Sequence, residues 1–237
     1  MKERLGWLLQ HLEDVPEGDD WLNADERRVA AALRFAKRRQ DWRLGRWTAK
    51  RAVRAFLAIP GLSPDSLEIR AAADGAPEAF RDGVPLPVAL SISHSGGCGL
   101  CAVAAAPVAL GCDIERLEER GEALVRDYFT PREIGFCLEA TGEARTLRTN
   151  LVWSAKESVL KALRAGLRRD TRSVEVDPWS AADGERDGWN PWTGRCLQSG
   201  RLFSGWWRAR RGCILTLSSD REGVPEEAGA GREGSWP

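Results

Sequence analysis

The feature that most restricts the possible folds of this chain is a short pattern written twice. Trp47-Thr48-Ala49-Lys50-Arg51-Ala52-Val53 returns as Trp153-Ser154-Ala155-Lys156-Glu157-Ser158-Val159, with no gap in the alignment. Each copy follows a helix-start signal. Asn23 precedes Glu26 by three positions, and Thr130-Pro131-Arg132-Glu133 is a capping box with proline at the first helical position. Leu67-Glu68-Ile69 is echoed by Val174-Glu175-Val176, and Asp74-Gly75 by Asp183-Gly184. Gly97-Cys98 and the strand after it resemble Gly212-Cys213-Ile214-Leu215-Thr216-Leu217. One echo is chance, but several in register describe a repeated unit of about a hundred residues. The expected fold is α+β, with two similar helix-plus-antiparallel-sheet subdomains around a pseudo-two-fold axis. They occupy residues 1–106 and 107–219, and a Gly/Glu/Pro-rich tail, 220–237, is expected to be mobile.

Within that frame, Trp7-Leu8-Leu9 reads as an edge strand and Arg34 to Leu57 as a long basic helix. Pro60, Gly61, Ser63 and Pro64 break the chain. Trp189-Asn190-Pro191-Trp192-Thr193-Gly194 reads as a turn, and Arg201–Arg210 with Cys213–Ser218 as a final antiparallel pair.

The second copy carries chemistry that the first lacks. Val152, Ala155, Val159, Leu160 and Leu163 recur at the spacing of a helix lying on a core, while Ser154, Glu157, Ser158 and Lys161 form another stripe. A glutamate and a lysine one turn apart can be no more than a solvated pair worth a few tenths of a kcal/mol. Upstream, however, Val108-Ala109-Leu110-Gly111-Cys112-Asp113-Ile114-Glu115 reads as a strand, which puts Asp113 and Glu115 on one face. Carboxylates held side by side repel unless a cation lies between them. Few, hard oxygen donors suit Mg²⁺ that keeps some waters and also binds a substrate phosphate. Glu157 supplies a third oxygen donor and Lys161 a phosphate partner. In the first copy the positions of Glu157 and Lys161 are held by Arg51 and Ala55, so a cleft between the halves would be acidic on one wall and basic on the other.

Bulk properties exclude several classes. The 237 residues carry 35 basic and 35 acidic side chains, and this zero balance argues against bulk electrostatic binding of nucleic acid. No apolar run approaches a membrane span, and the N-terminal stretch lacks a signal-peptide core, which points to a cytoplasmic protein. Cys98 and Cys101 make one C-x-x-C, but the chain has only two histidines, His11 and His94, to complete a zinc site, so reduced buried thiols are the better reading. No G-x-S-x-G occurs, which disfavours a serine hydrolase.

Gly111-Cys112-Asp113-Ile114-Glu115 followed by Trp153-Ser154-Ala155-Lys156-Glu157-Ser158-Val159-Leu160-Lys161 resembles the signature pair of the Sfp-type 4′-phosphopantetheinyl transferases. Ser91-Ile92-Ser93-His94-Ser95 is similar to that family's third motif. The resemblance runs from about Asn23 to Ser218. It implies the family's fold and the transfer of the 4′-phosphopantetheine arm of coenzyme A to a serine of an apo acyl or peptidyl carrier protein, with release of 3′,5′-ADP. Mg²⁺ is the implied cofactor, coenzyme A the co-substrate, and the protein is expected to be a monomer with no nucleic-acid or membrane partner. By the same resemblance Asp113 and Glu157 are Mg²⁺ ligands, Glu115 is a third ligand, and Glu157 and Lys161 are catalytic. Ser93 and His94 would bind the 3′-phosphate, and Arg43 or Arg46 the nucleotide phosphates. Arg28 and Lys156 are further candidates, and Asp113 and Lys161 also belong to the coenzyme A set. One departure is Ala76, where the family often has a basic residue before proline. Glu133 is accounted for by its capping box. The alternatives are a non-catalytic coenzyme A-binding descendant and a nucleic-acid-binding module using the Arg34–Arg54 helix.

Overall fold

The computed structural model describes residues 3–59, 62–178 and 188–228. The chain divides into two compact units, Met1–Val108 with Val224–Pro237, and Ala109–Gly223.

The first unit begins with β1 (Glu3–His11). Helix α1 (Ala24–Ala32) starts where the sequence signals it. The Asn23 side chain accepts from the Glu26 N–H at 2.8 Å, and the Glu26 carboxylate accepts from the Asn23 N–H at 3.2 Å. Helix α2 (Ala36–Leu57) carries the first Trp-Thr-Ala-Lys copy and stops at Ala58, which adopts a left-handed φ of 51°. Strands β2 (Leu67–Ala71), β3 (Pro77–Arg81) and β4 (Val84–Pro85) form a three-stranded sheet. Strands β5 (Val88–Ser95) and β6 (Cys98–Ala105) complete the main sheet, whose order is β12-β1-β6-β5 with β12 (Gly223–Glu227) included. Helix α2 lies on it, burying Ala49, Ala52 and Val53 against Leu8, Leu90, Cys101 and Val103.

The second unit contains β7 (Leu110–Arg116), α3 (Glu122–Tyr128), α4 (Pro131–Leu138) and α5 (Gly142–Ala162). These are followed by β8 (Val174–Asp177), β9 (Asn190–Cys196), β10 (Leu202–Arg210) and β11 (Cys213–Ser219). Its five-stranded sheet has the order β7-β11-β10-β9-β8. Helix α5 crosses it, and Val152, Ala155, Val159 and Leu160 are buried with Val174, Val176, Trp192 and Phe203. The apolar stripe expected for this helix is therefore its core face. Thr130 caps α4 and Glu133 closes the box from 2.8 Å, as the sequence indicates.

Three expectations differ from the structure. Residues 190–196 form β9 rather than a turn. Pro191 is only the second residue of that strand, where a missing N–H costs little, and the burial of Trp192 against Gly205 fixes the strand. Strand β1 is internal, not an edge, because β12 (Gly223–Glu227) pairs along its outer side. The start of the tail is consequently ordered, with the Ala228 N–H donating to the Trp7 carbonyl at 2.7 Å and Arg4 paired with Glu226 at 3.0 Å. The expected break at Pro60-Gly61, the Asp183-Gly184 echo and the tail after Ala228 lie outside the described residues.

Candidate active site

Strand alternation places Gly111, Asp113 and Glu115 on the face of β7 that meets α5. Gly111 makes the approach possible. A Cβ there would lie 1.8 Å from the Ser158 carbonyl oxygen, so the helix backbone rests directly on the strand. The Ser154/Glu157/Ser158/Lys161 stripe is thereby turned toward the sheet rather than to solvent, and Ser154 and Ser158 are wholly buried.

At the centre the Lys161 ammonium lies 2.7 Å from Asp113 Oδ1 and 3.1 Å from the Cys112 carbonyl, and 3.9 Å from a Glu157 oxygen. Glu115 is gripped on both oxygens, by the Trp153 indole N–H at 3.0 Å and by the Arg120 guanidinium at 2.9 Å. Arg120 is steadied in turn by Asn150, at 2.7 Å, whose amide donates to the carbonyls of Glu118 and Thr146. The two strand carboxylates thus each have a cation at hydrogen-bond distance, while Glu157 has only the longer contact to Lys161.

The electrostatics follow. Burial, then the Asp113 charge, pushes the Glu157 carboxyl up to about 7. Burial and Asp113 also raise Glu115, against the opposing pull of Arg120 and Trp153. Burial opposes the charge on Lys161, yet Asp113, Cys112 and Glu157 together hold its ammonium above the usual lysine range. Such a site wants another cation. Among the described residues no three His, Cys, Asp or Glu side chains converge closely enough to hold a metal by themselves. The donors fit an ion held by Asp113 and Glu157 with water and phosphate completing its shell, which is how Mg²⁺ is usually bound.

In the first unit, His94 lines an open hollow of ≈ 410 Å³ together with Phe35, Lys37, Arg38, Asp41 and Trp42. Ser93, its neighbour on β5, points to the other face and is buried, so the Ser-His pair is split. Arg43 is engaged by the preceding loop, bonding Asp19 and the carbonyls of Pro16, Glu17 and Gly18. Arg46 instead stacks 4.9 Å from the Trp42 ring, and its buried Nε makes no hydrogen bond. Arg28 is exposed and paired with Asp25.

Residues 109–208 match the 4′-phosphopantetheinyl transferase superfamily. The matched stretch contains Asp113, Glu115, Glu157 and Lys161. No curated protein matches the chain. Solved structures that are similar include the holo-[acyl-carrier-protein] synthase of Neisseria meningitidis, at 20% identity and a TM-score of 0.35, covering 43% of this chain and 95% of that one. The synthase of Thermotoga maritima gives 20% identity and a TM-score of 0.36, covering 50% of this chain and 78% of that one. Both likenesses are too low to carry an argument.

Lys156 lies within the matched stretch but apart from the Asp113, Glu157 and Lys161 cluster. Expected to face coenzyme A phosphates, this residue points into the core, on a different face of α5 from Glu157. Its ammonium is fully buried, bonded to Glu133 at 2.6 Å and to the Val174 carbonyl. It is a structural ion pair, because a lysine one position from Glu157 is rotated about 100° away from it. Sequence reasoning missed Arg120, which sits in a loop with no periodicity to mark it.

Proposed function

We propose that the chain is an Sfp-type transferase that moves the 4′-phosphopantetheine arm of coenzyme A to a carrier-protein serine and releases 3′,5′-ADP. The observation that carries this reading is the Asp113–Lys161–Glu157 constellation, in which buried carboxylates and an ammonium converge within the stretch that matches the superfamily.

Mg²⁺, when bound by Asp113 and Glu157, would supply positive charge to the pyrophosphate and lower the barrier to its cleavage. Glu115, held by Arg120 and Trp153, would reach the ion through water. Glu157, or a water held by the ion, would take the proton from the serine hydroxyl. The serine oxygen would attack the β-phosphorus, its proton passing to Glu157 or to that water, as the bond to the departing 3′,5′-ADP breaks. Lys161 would neutralise charge on that leaving group. Positioning and charge carry such a reaction, since the protein forms no covalent intermediate.

Within the first unit, the His94 and Arg38 side chains at the open hollow are suited to a phosphate, whereas Lys37 is paired with Asp41 at 2.9 Å and the Arg43 guanidinium is occupied by Asp19 and the Pro16, Glu17 and Gly18 carbonyls. The neutral overall balance and the built carboxylate site disfavour a nucleic-acid module, and the intact acidic set disfavours a non-catalytic descendant.

Incubation with coenzyme A, Mg²⁺ and a panel of apo carrier proteins, followed by intact-mass measurement, tests the reading. The expected result is a gain of one phosphopantetheine mass on at least one carrier. Asp113→Ala and Glu157→Ala, folded by circular dichroism, should lose product by at least about 10²-fold. Normal rates in both variants would overturn the site, and no modification of any carrier would overturn the activity.

A further inference from the structure

Helix α5 meets its sheet through two kinds of contact. Along one side it buries apolar side chains, which hold it down without fixing its position along its axis, because hydrophobic burial is non-directional. Along the other side the seam is made of small and hydroxyl side chains. Gly111, Thr216 and Ser218 lie on the strands, and Ser154 and Ser158 on the helix. Between the small and hydroxyl side chains of this seam the directional contact is made by one pair: Ser154 Oγ and Thr216 Oγ1 are 2.9 Å apart, and Thr216 Oγ1 also donates to the Ser154 carbonyl at 3.0 Å, which ties α5 to β11 as Trp153 and Lys161 tie it to Glu115 and Asp113 on β7. Both residues are completely buried.

The location of that bridge is informative. Thr216 on β11 is the register partner of Asp113 on β7, so the two side chains stand on the same face, about 5 Å apart at Cβ. Ser154 lies one helical turn before Glu157 and two before Lys161. A slip of α5 by a single residue would shift it by about 1.5 Å and turn it by about 100°, carrying both groups away from Asp113. Ser158 caps its own turn through the Ala155 carbonyl at 2.8 Å, and Ser218 Oγ makes no hydrogen bond, so neither supplies the same constraint.

We propose that Thr216 is a positioning residue: through its two hydrogen bonds with Ser154 it ties α5 to β11 in one axial register and so holds Glu157 and Lys161 opposite Asp113. The inference rests on the transferase reading above and assigns this residue no contact with substrate.

The test uses the full chain with Thr216→Val, Thr216→Ser, Ser154→Ala and, as a control on the same seam, Ser218→Ala. Carrier modification is followed with coenzyme A varied, and Mg²⁺ affinity is measured separately by isothermal titration calorimetry. Thr216→Val, which keeps shape but not the hydroxyl, should lower kcat by roughly 10- to 100-fold, the scale of a misplacement of about 1 Å, with KM for coenzyme A unchanged. It should also weaken Mg²⁺ binding severalfold. Thr216→Ser should restore both values to within about twofold, and Ser154→Ala should fall between, since the carbonyl bond survives. Ser218→Ala should match wild type in kcat and Mg²⁺ affinity. If Thr216→Val fails to fold, Ser154→Ala against Ser218→Ala decides the matter. An active wild type whose Thr216→Val and Ser154→Ala variants keep kcat and Mg²⁺ affinity would overturn this proposal alone. Failure of Thr216→Ser to rescue a folded, impaired Thr216→Val would do the same. A wild type that neither modifies a carrier nor binds Mg²⁺ would overturn the transferase reading, and this proposal with it.

Discussion

The two units build the same internal joint and then use the neighbouring positions differently. In each, a capping glutamate has its carboxylate drawn into the core to meet a buried lysine from the long helix and a strand N–H. Glu26 meets Lys50 and accepts from the Ile69 N–H at 3.0 Å, while Glu133 meets Lys156 and accepts from the Val176 N–H at 2.8 Å. The strand registers correspond as well. His11 pairs with Cys98 and Arg116 with Cys213, which makes Gly6, Leu8 and Gln10 the counterparts of Gly111, Asp113 and Glu115. Where the second unit has Asp113, Glu115, Glu157 and Lys161, the first has Leu8, Gln10, Arg51 and Ala55, and Arg51 simply bonds Gln10 at 3.1 Å. The shared joint is structural, and the differing set is the one proposed above as the active site. That separates two lysines, Lys156 and Lys161, both of which the sequence offered to coenzyme A.

The largest effect that could break this comparison comes from the two glycines. At Gly111 a methyl would collide with backbone that cannot retreat, whereas at Gly6 it would meet the Val103 and Phe56 side chains at 2.9 and 3.0 Å. Gly111→Ala should destabilise the protein by about 4 kcal/mol or more and abolish carrier modification, and Gly6→Ala by about 1 to 2 kcal/mol, measured by urea unfolding. Equal losses would show that the helices do not approach their sheets differently.

Next come the joints themselves. Glu133→Gln and Glu26→Gln each strand a buried ammonium, and each should cost roughly 3 to 5 kcal/mol. If either variant unfolds at the wild-type urea concentration, the joint in that unit does not bear on stability.

A smaller effect sharpens the contrast at the second unit's site. Glu157 titrates near 7 in the folded chain against an ordinary 4.5, so folding disfavours its ionised form. The stability it contributes is complete below about 4.5 and is lost as pH rises through about 7. Without Mg²⁺, the wild-type Tm should therefore fall more between pH 5 and 7 than that of Glu157→Gln, while Arg51→Gln should keep the wild-type slope. Identical profiles for wild type and Glu157→Gln would remove the perturbed carboxyl.

The smallest expected change is at the caps. Asn23→Ala and Thr130→Ala should each cost about 1 kcal/mol, read as a shift in unfolding midpoint.

Much of this was legible in the chain. The capping boxes at Asn23 and Thr130, the core face of the Trp153–Leu163 helix and the shared face of Asp113 and Glu115 follow from local rules, since caps, helical spacing and strand alternation involve residues close in sequence. The tail and the Asn-Pro segment were misread for the opposite reason: β12 is ordered only because β1 offers an unpaired edge, and β9 only because Gly205 leaves room for Trp192.

By itself the sequence determined which residue types stand at which spacing, and hence the helices, the strand faces and the acidic residues within the stretch that matches a transferase superfamily. Only the tertiary structure decided that Lys156 is buried on Glu133 while Lys161 lies on Asp113, that Arg120 and Trp153 hold Glu115, and that Thr216 reaches Ser154. The physical reason is range. Local patterning fixes the direction of a side chain from its own element, but its partner belongs to another element brought near by packing, and no periodicity along the chain encodes that meeting.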